Sequence, residues 1–303
     1  MYKKQVLLIM LLHSLLAQAA PGGEAPLGPD KQTASAVSRH PSSPRLRSSI
    51  ALVYDAQGKR TLYTKRADAV VPIASISKLM TAMVVLDARL PMDEKIRITM
   101  QDVDMLKMSS SRMRPGTTLT RGDLLKLALM SSENRAAAAL ARTYPGGTEA
   151  AVAVMNAKAR QLGMRDTHFL DPTGLNSGNV STAQDLVKMV LAAQAYEPIH
   201  RATTSTMHIV KGPGSRPQLY VNTNPLVRSA SWDIGVSKTG YISEAGQCLV
   251  MQAKIRNQPV VFVLLDSQNK NARIADAIRI RKWMETASRQ GDIQLASEDQ
   301  MNI

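Results

Sequence analysis

Residues Leu79, Met80, Ala82, Met83, Val84, Val85 and Leu86 place apolar side chains on nearly every side of a helical wheel. A helix without a polar face is a buried one, so a central buried helix is predicted here. Ser75 and Lys78 stand on its opening turn, facing each other across it. Upstream, residues 50–54 alternate as a strand, Asp55-Ala56-Gln57-Gly58 has turn chemistry, and residues 61–64 answer as a second strand. That is a β-hairpin. Downstream, Ile96 and Ile98 mark a short strand and residues 101–108 a helical turn or two. Thr120-Arg121-Gly122-Asp123 reads as a capping segment for a second apolar helix ending at Ser131-Ser132-Glu133-Asn134. Further helices are predicted from 136 to 141, from 148 to 162 and from 182 to 195, the last capped by Ser181 or Thr182. From Met207 the pattern changes to strands at 207–210, 218–221, 235–238, 247–255 and 260–265, and residues 272–288 form a closing helix. Helices and strands are segregated along the chain, so the fold class is α+β, with the opening hairpin and closing helix completing the late sheet.

The ends of the chain differ from this middle. Lys3 and Lys4, the short apolar run 6–12 and the small-x-small site Ala17-Gln18-Ala19 read as a secretory signal peptide over 1–19. Residues 20–49 carry five prolines and no apolar periodicity, so a disordered leader is expected there. The folded unit is expected over 50–290, followed by a polar tail over 291–303. The signal places the protein outside the cytoplasm, and no later segment has transmembrane character.

Charge narrows the choice of partners. The formal charge is +14, or +12 once Lys3 and Lys4 leave with the signal. A field of that sign favours polyanionic surroundings such as cell-wall carboxylates or phosphates, or serves solubility alone. Nucleic acid is disfavoured: the cations are scattered, and the chain holds only two Phe and two Trp for stacking. Cys248 is the only cysteine, which excludes an internal disulfide, and it reads as a small apolar residue on a buried strand. The histidines at 40, 168, 200 and 208 lack metal-ligand spacing. Neither a metal nor a cofactor is implied.

Three short motifs carry the candidate chemistry: Ser75-x-x-Lys78, Ser132-x-Asn134 and Lys238-Thr239-Gly240, the last at the end of a predicted strand. Each alone is weak. Ser267-Gln268-Asn269-Lys270 also fits the first pattern, and Ser177-Gly178-Asn179 fits the second. Context separates them, because only Ser75 opens a buried helix and only Ser132 sits in a break between two apolar helices. A serine hydroxyl is a poor nucleophile until a base takes its proton. Lys78 is in reach, and burial beside a second cation such as Lys238 gives it two reasons to be neutral.

With these motifs the chain resembles the penicillin-binding protein and serine β-lactamase superfamily. Within it the sequence is similar to the D-alanyl-D-alanine carboxypeptidase and endopeptidase group (peptidase S11) from about residue 50 to residue 290. Pro72-Ile73-Ala74, Phe169-Leu170-Asp171-Pro172-Thr173-Gly174-Leu175 and Asn222-Thr223-Asn224-Pro225-Leu226 extend the match. The resemblance implies an antiparallel sheet flanked by helices, plus a helical subdomain. It implies Ser75 as nucleophile, Lys78 as base and Ser132 as proton relay. It further implies that Asn134 holds the substrate amide and that Lys238 and Thr239 hold a substrate carboxylate. Gly240 would allow close approach, and the backbone N–H groups of Ser75 and Tyr241 would form the oxyanion hole. The implied substrates are peptidoglycan peptides, with β-lactams as covalent inhibitors and the periplasm as location. A β-lactamase needs a glutamate to activate water, and Asp171 stands where one is sought. The lack of a second domain favours the endopeptidase form, which cleaves peptide cross-links. A carboxypeptidase trimming pentapeptides is the alternative, and a β-lactamase or an inactive wall-binding protein are the remaining ones.

Overall fold

The computed structural model describes residues 43–210, 217–287 and 296–297. The expected signal peptide and the expected leader as far as residue 42 lie outside the described residues, as does the polar tail apart from 296 and 297. Strand β1 (Ser48–Asp55) turns into β2 (Arg60–Lys65). The Asp55 carboxylate accepts the N–H groups of Gln57 and Gly58 at 3.1 and 2.8 Å, the local bonding that favours Asp in turns. β1 begins two residues before the expected Ile50. The Ser48 N–H and hydroxyl both donate at 2.7 Å to the buried carboxylate of Asp276, an anchor that no local pattern announces.

A short strand, β3 (Val71–Pro72), leads into a 3-10 turn (Ala74–Ser77) and then α1 (Lys78–Asp87). Lys78 through Val85 are all buried, as the unbroken apolar pattern requires. Ser75 therefore stands on a tight turn, and Lys78 is the first residue of the α-helix proper. β4 (Lys95–Arg97) pairs with β5 (Thr118–Thr120). Between them the expected helical turns shrink to one 3-10 turn, Met100–Asp102. Beyond it, Asp104 accepts the N–H groups of Leu106, Lys107 and Ser109 at 2.8, 3.0 and 2.8 Å. That side-chain bonding replaces the helical ladder and moulds an irregular loop.

Helices α2 (Arg121–Met130), α3 (Asn134–Arg142) and α4 (Gly147–Gln161) follow. Thr120 caps α2 by accepting the Asp123 N–H at 3.0 Å. β6 (Val180–Ser181) pairs with β3, and Thr182 caps α5 (Ala183–Ala193). A further helix, α6 (Glu197–Thr204), has Pro198 in its first turn. No helix is predicted between 195 and 207 from the sequence, yet proline suits the first turn of a helix. β7 (Met207–Val210) and β8 (Gln218–Val221) form a hairpin.

The late strands are β9 (Asp233–Ile242), β10 (Gly246–Ile255) and β11 (Gln258–Ser267), with α7 (Lys270–Ala287) and β12 (Ala296–Ser297) after them. The sheet has the order β12-β2-β1-β11-β10-β9. β12 lies parallel to β2, and the other neighbours are antiparallel. Both faces are covered. Ala51, Val53, Leu249, Met251 and Phe262 pack with Ala277, Ile280 and Met284 of α7. Their neighbours in the strands, Ile50, Leu52, Val250 and Val263, point the other way into the core built by α1, α2 and α5. Cys248 lies on β10 fully buried, and burial pushes its thiol up to about 11. Iodoacetamide at neutral pH is expected to leave native Cys248 unmodified and to alkylate it in urea, a contrast that intact mass reads directly.

Candidate active site

β9 is the edge of the sheet, and its free side faces the turn that carries Ser75. Lys238-Thr239-Gly240 sits inside β9, with Lys238 opposite Val250 and Gly240 opposite Cys248. The expected strand ended at Lys238; pairing with β10 carries it four residues further. A Cβ built on Gly240 would meet Ile73 O at 3.0 Å, the Ala74 Cβ at 3.1 Å and Ser75 N at 3.2 Å. The glycine thus brings the strand against the turn that carries Ser75.

The turn is held in an uncommon conformation. Ala74 has φ +49° and Ser132, in the break between α2 and α3, has φ +61°. Such left-handed residues persist where the surroundings over-determine them. Here Gly174 presses on the turn, since a Cβ on it would lie 1.9 Å from Ala74 O.

Lys78 is buried, and its Nζ bonds Ser75 Oγ at 2.7 Å, Asn134 Oδ1 at 2.7 Å and Thr173 O at 2.6 Å. Two of these partners only accept, and the serine hydroxyl both donates and accepts. A neutral Lys78 satisfies all three by donating to Asn134 and Thr173 and accepting from Ser75. Burial pushes this amine down to about 7, with Asp171 and then Glu133 pulling it back up. Lys238 Nζ donates to Ser132 Oγ at 2.8 Å and to Thr239 O at 2.8 Å. Burial pushes Lys238 down as well, followed by Lys78 and Arg273. Desolvation is the leading cause for both amines, and the repulsion between them opposes both being charged at once.

The site residues named from the sequence come together around one cleft of about 620 Å³, lined by Ser75, Ser132, Asn134, Thr239, Gly240 and Tyr241. Lys78 and Lys238 bond into it from beneath. Several residues that sequence reasoning missed hold this arrangement. Asn179, fully buried, accepts the N–H groups of Leu170 and Asp171 at 2.7 and 3.1 Å. It donates to Ser77 Oγ at 2.9 Å and Asp171 O at 2.8 Å. The Asp171 carboxylate accepts the N–H groups of Thr173 and Gly174 at 3.2 and 3.0 Å, and the Thr173 hydroxyl. The loop exists to hold the Thr173 carbonyl against Lys78, so Asp171 is committed to the turn. Ser109 Oγ accepts from Asn134 Nδ2 at 2.9 Å, and Ser111 donates to Glu133 at 2.6 Å. Arg273, from α7, donates to Gly240 O and Cys248 O at 3.0 and 2.8 Å. The Asp171-Pro172-Thr173-Gly174 turn signal was visible in the sequence; Arg273 carried none, and Asn179 appeared only in the second Ser-x-Asn match. The first chance match resolves too, since Ser267 Oγ is buried against Ser48 Oγ at 2.7 Å and does not line the cleft.

The family model of D-alanyl-D-alanine carboxypeptidases, peptidase S11, matches residues 37–269. The chain belongs to this family. It is 45% identical over 262 residues to a D-alanyl-D-alanine endopeptidase of Escherichia coli, covering 86% of this chain and 84% of that one. It is 47% identical over 247 residues to a D-alanyl-D-alanine endopeptidase of Pseudomonas aeruginosa, covering 81% and 80%. The crystal structure of the Streptomyces K15 DD-transpeptidase superposes with a TM-score of 0.74 at 29% identity, covering 80% of this chain and 98% of that one. The α+β fold expected from the segregated elements is thus the fold of this family. Among the described residues no helix is long and apolar enough to cross a membrane.

Proposed function

We propose that this peptidase S11 member is a DD-endopeptidase that hydrolyses D-alanyl cross-links of peptidoglycan through an acyl-enzyme on Ser75. The observation that carries this reading is the Ser75–Lys78 contact at 2.7 Å, made by an amine whose affinity for its proton burial has reduced to about 7. Neutral Lys78 takes the Ser75 proton as Oγ attacks the D-alanyl carbonyl. The developing oxyanion is received by the N–H groups of Ser75 and Tyr241, where β9 closes on the turn. Ser132, on Lys238, passes a proton to the leaving amine. Water then attacks the ester, and the same lysine serves as base. Lys238 and Thr239 hold the carboxylate of the leaving side as a charge-assisted pair. Asn134 keeps one N–H free after bonding Ser109, enough for one substrate amide. β-Lactams acylate Ser75 by the same path, and Asp171, engaged in its own turn, adds no second base to speed their release. The signal-like sequence over 1–19 supports a periplasmic location, where the cross-links are.

The two named endopeptidase relatives, each covered over 80% or more of its length, favour cross-link hydrolysis over trimming. Purified protein mixed with cross-linked muropeptide dimers is expected to release monomers, read by mass spectrometry. Free D-alanine as the sole product would make it a carboxypeptidase, and fast nitrocefin turnover a β-lactamase. The acylation rate is expected to rise with pH as Lys78 loses its proton through about 7. Stopped-flow acylation across pH checks that rise.

A further inference from the structure

The irregular loop after β4 forms one wall of the cleft, and the turn between β9 and β10 forms the end of the other. Lys107 on the first wall makes an ion pair with Glu244 on the second. Both ends are prearranged. The Lys107 backbone is fixed by the Asp104 carboxylate at 3.0 Å, and the second oxygen of Glu244 accepts the Ser243 hydroxyl at 2.8 Å. The Lys107 ammonium, and then Ser243, hold the Glu244 carboxyl down to about 2, so the carboxylate is charged at neutral pH. The loop is also joined to the chemistry, through Ser109 on Asn134 and Ser111 on Glu133.

The direction of β9 says which part of a substrate this pair meets. On the reading above, Lys238 and Thr239 hold the leaving side, and the oxyanion lies opposite Tyr241. Residues 243 and 244 are further along the same edge, so they flank the acyl-donor peptide. We propose that the Lys107–Glu244 pair is a specificity latch across the acyl-donor end of the cleft, which sets the bulk of the donor peptide that reaches Ser75. A branched or cross-linked donor has to part the pair, and a short donor passes beneath it. This rests on the DD-peptidase reading for its direction along β9.

The experiment compares Glu244→Gln with the unaltered enzyme in two assays, cleavage of cross-linked muropeptide dimers and acylation by a penicillin with a small side chain. An exposed ion pair contributes little, so the expected change is about two- to fivefold. The dimer-to-penicillin rate ratio is expected to rise by that factor in Glu244→Gln. The double exchange Lys107→Glu with Glu244→Lys is expected to restore it. Sodium chloride at high concentration should raise the ratio in the unaltered enzyme and leave Glu244→Gln unmoved. An unchanged ratio in Glu244→Gln, with penicillin acylation of Ser75 intact, overturns the latch alone. Absence of penicillin acylation in the unaltered enzyme overturns the underlying reading instead.

Discussion

Lys78→Ala is expected to slow acylation of Ser75 by a labelled β-lactam about 10²–10⁴-fold, the usual range for removing a positioned general base. Among the described residues no other amine bonds Ser75 Oγ; Lys238 is spent on Ser132 and the Thr239 carbonyl. The loss is not to be explained by unfolding. In the folded protein Lys78 binds its proton less tightly than in the unfolded chain, about 7 against 10.5. Between those two values the unfolded chain therefore holds more protons, and stability rises with pH. Lys78→Ala removes that contribution, so urea midpoints of the variant should vary less between pH 7 and 10 than those of the unaltered enzyme. A variant that acylates at the normal rate would assign the base elsewhere.

Gly174→Ala is expected to destabilise the fold by about 3 kcal/mol or more, adding steric overlap to a left-handed backbone. Its φ is +80°, and the new Cβ would lie 1.9 Å from Ala74 O, 2.2 Å from Ala74 C and 2.8 Å from Ser75 N. All three are backbone atoms of the turn that carries Ser75, so relief has to come from moving Ser75 or withdrawing the Thr173 carbonyl from Lys78. Acylation should fall even in molecules that remain folded. Gly163→Ala separates the two effects. Gly163 has φ +70° with nothing within 4 Å of its Cβ position, so it should cost only about 1–2 kcal/mol and leave acylation unchanged. Urea denaturation beside penicillin labelling checks the pair; equal costs at both glycines would show that the close approach at Ser75 carries no strain.

What was legible in the sequence was local. The buried helix announced itself by lacking a polar face, the first hairpin by Asp55 and Gly58, and α2 by Thr120 and Asp123. The three motifs were legible because each is a few residues long, and their convergence followed from the family resemblance rather than from any periodicity. What was not legible depends on distant partners. Asn179 belongs to a Ser-x-Asn match set aside as chance, yet its side chain fastens the Asp171 loop to Ser77. Ser48 extends β1 because Asp276 waits on the last helix. The loop after Met100 escapes helix because Asp104 competes for its N–H groups. Burial of Lys78 was anticipated from its place on an apolar helix, but the Thr173 carbonyl and Asn134 amide that close over its amine are a tertiary fact.

The measurement that bears most directly on Ser75 and Lys78 as the reacting pair is covalent capture by a labelled penicillin across pH, with the labelled peptide mapped by mass spectrometry. The expected result is a single label on the peptide containing Ser75, formed at a rate that climbs through pH 7 and is absent in Ser75→Ala. Label on another residue, or a rate on Ser75 that is flat between pH 5 and 9, would contradict it.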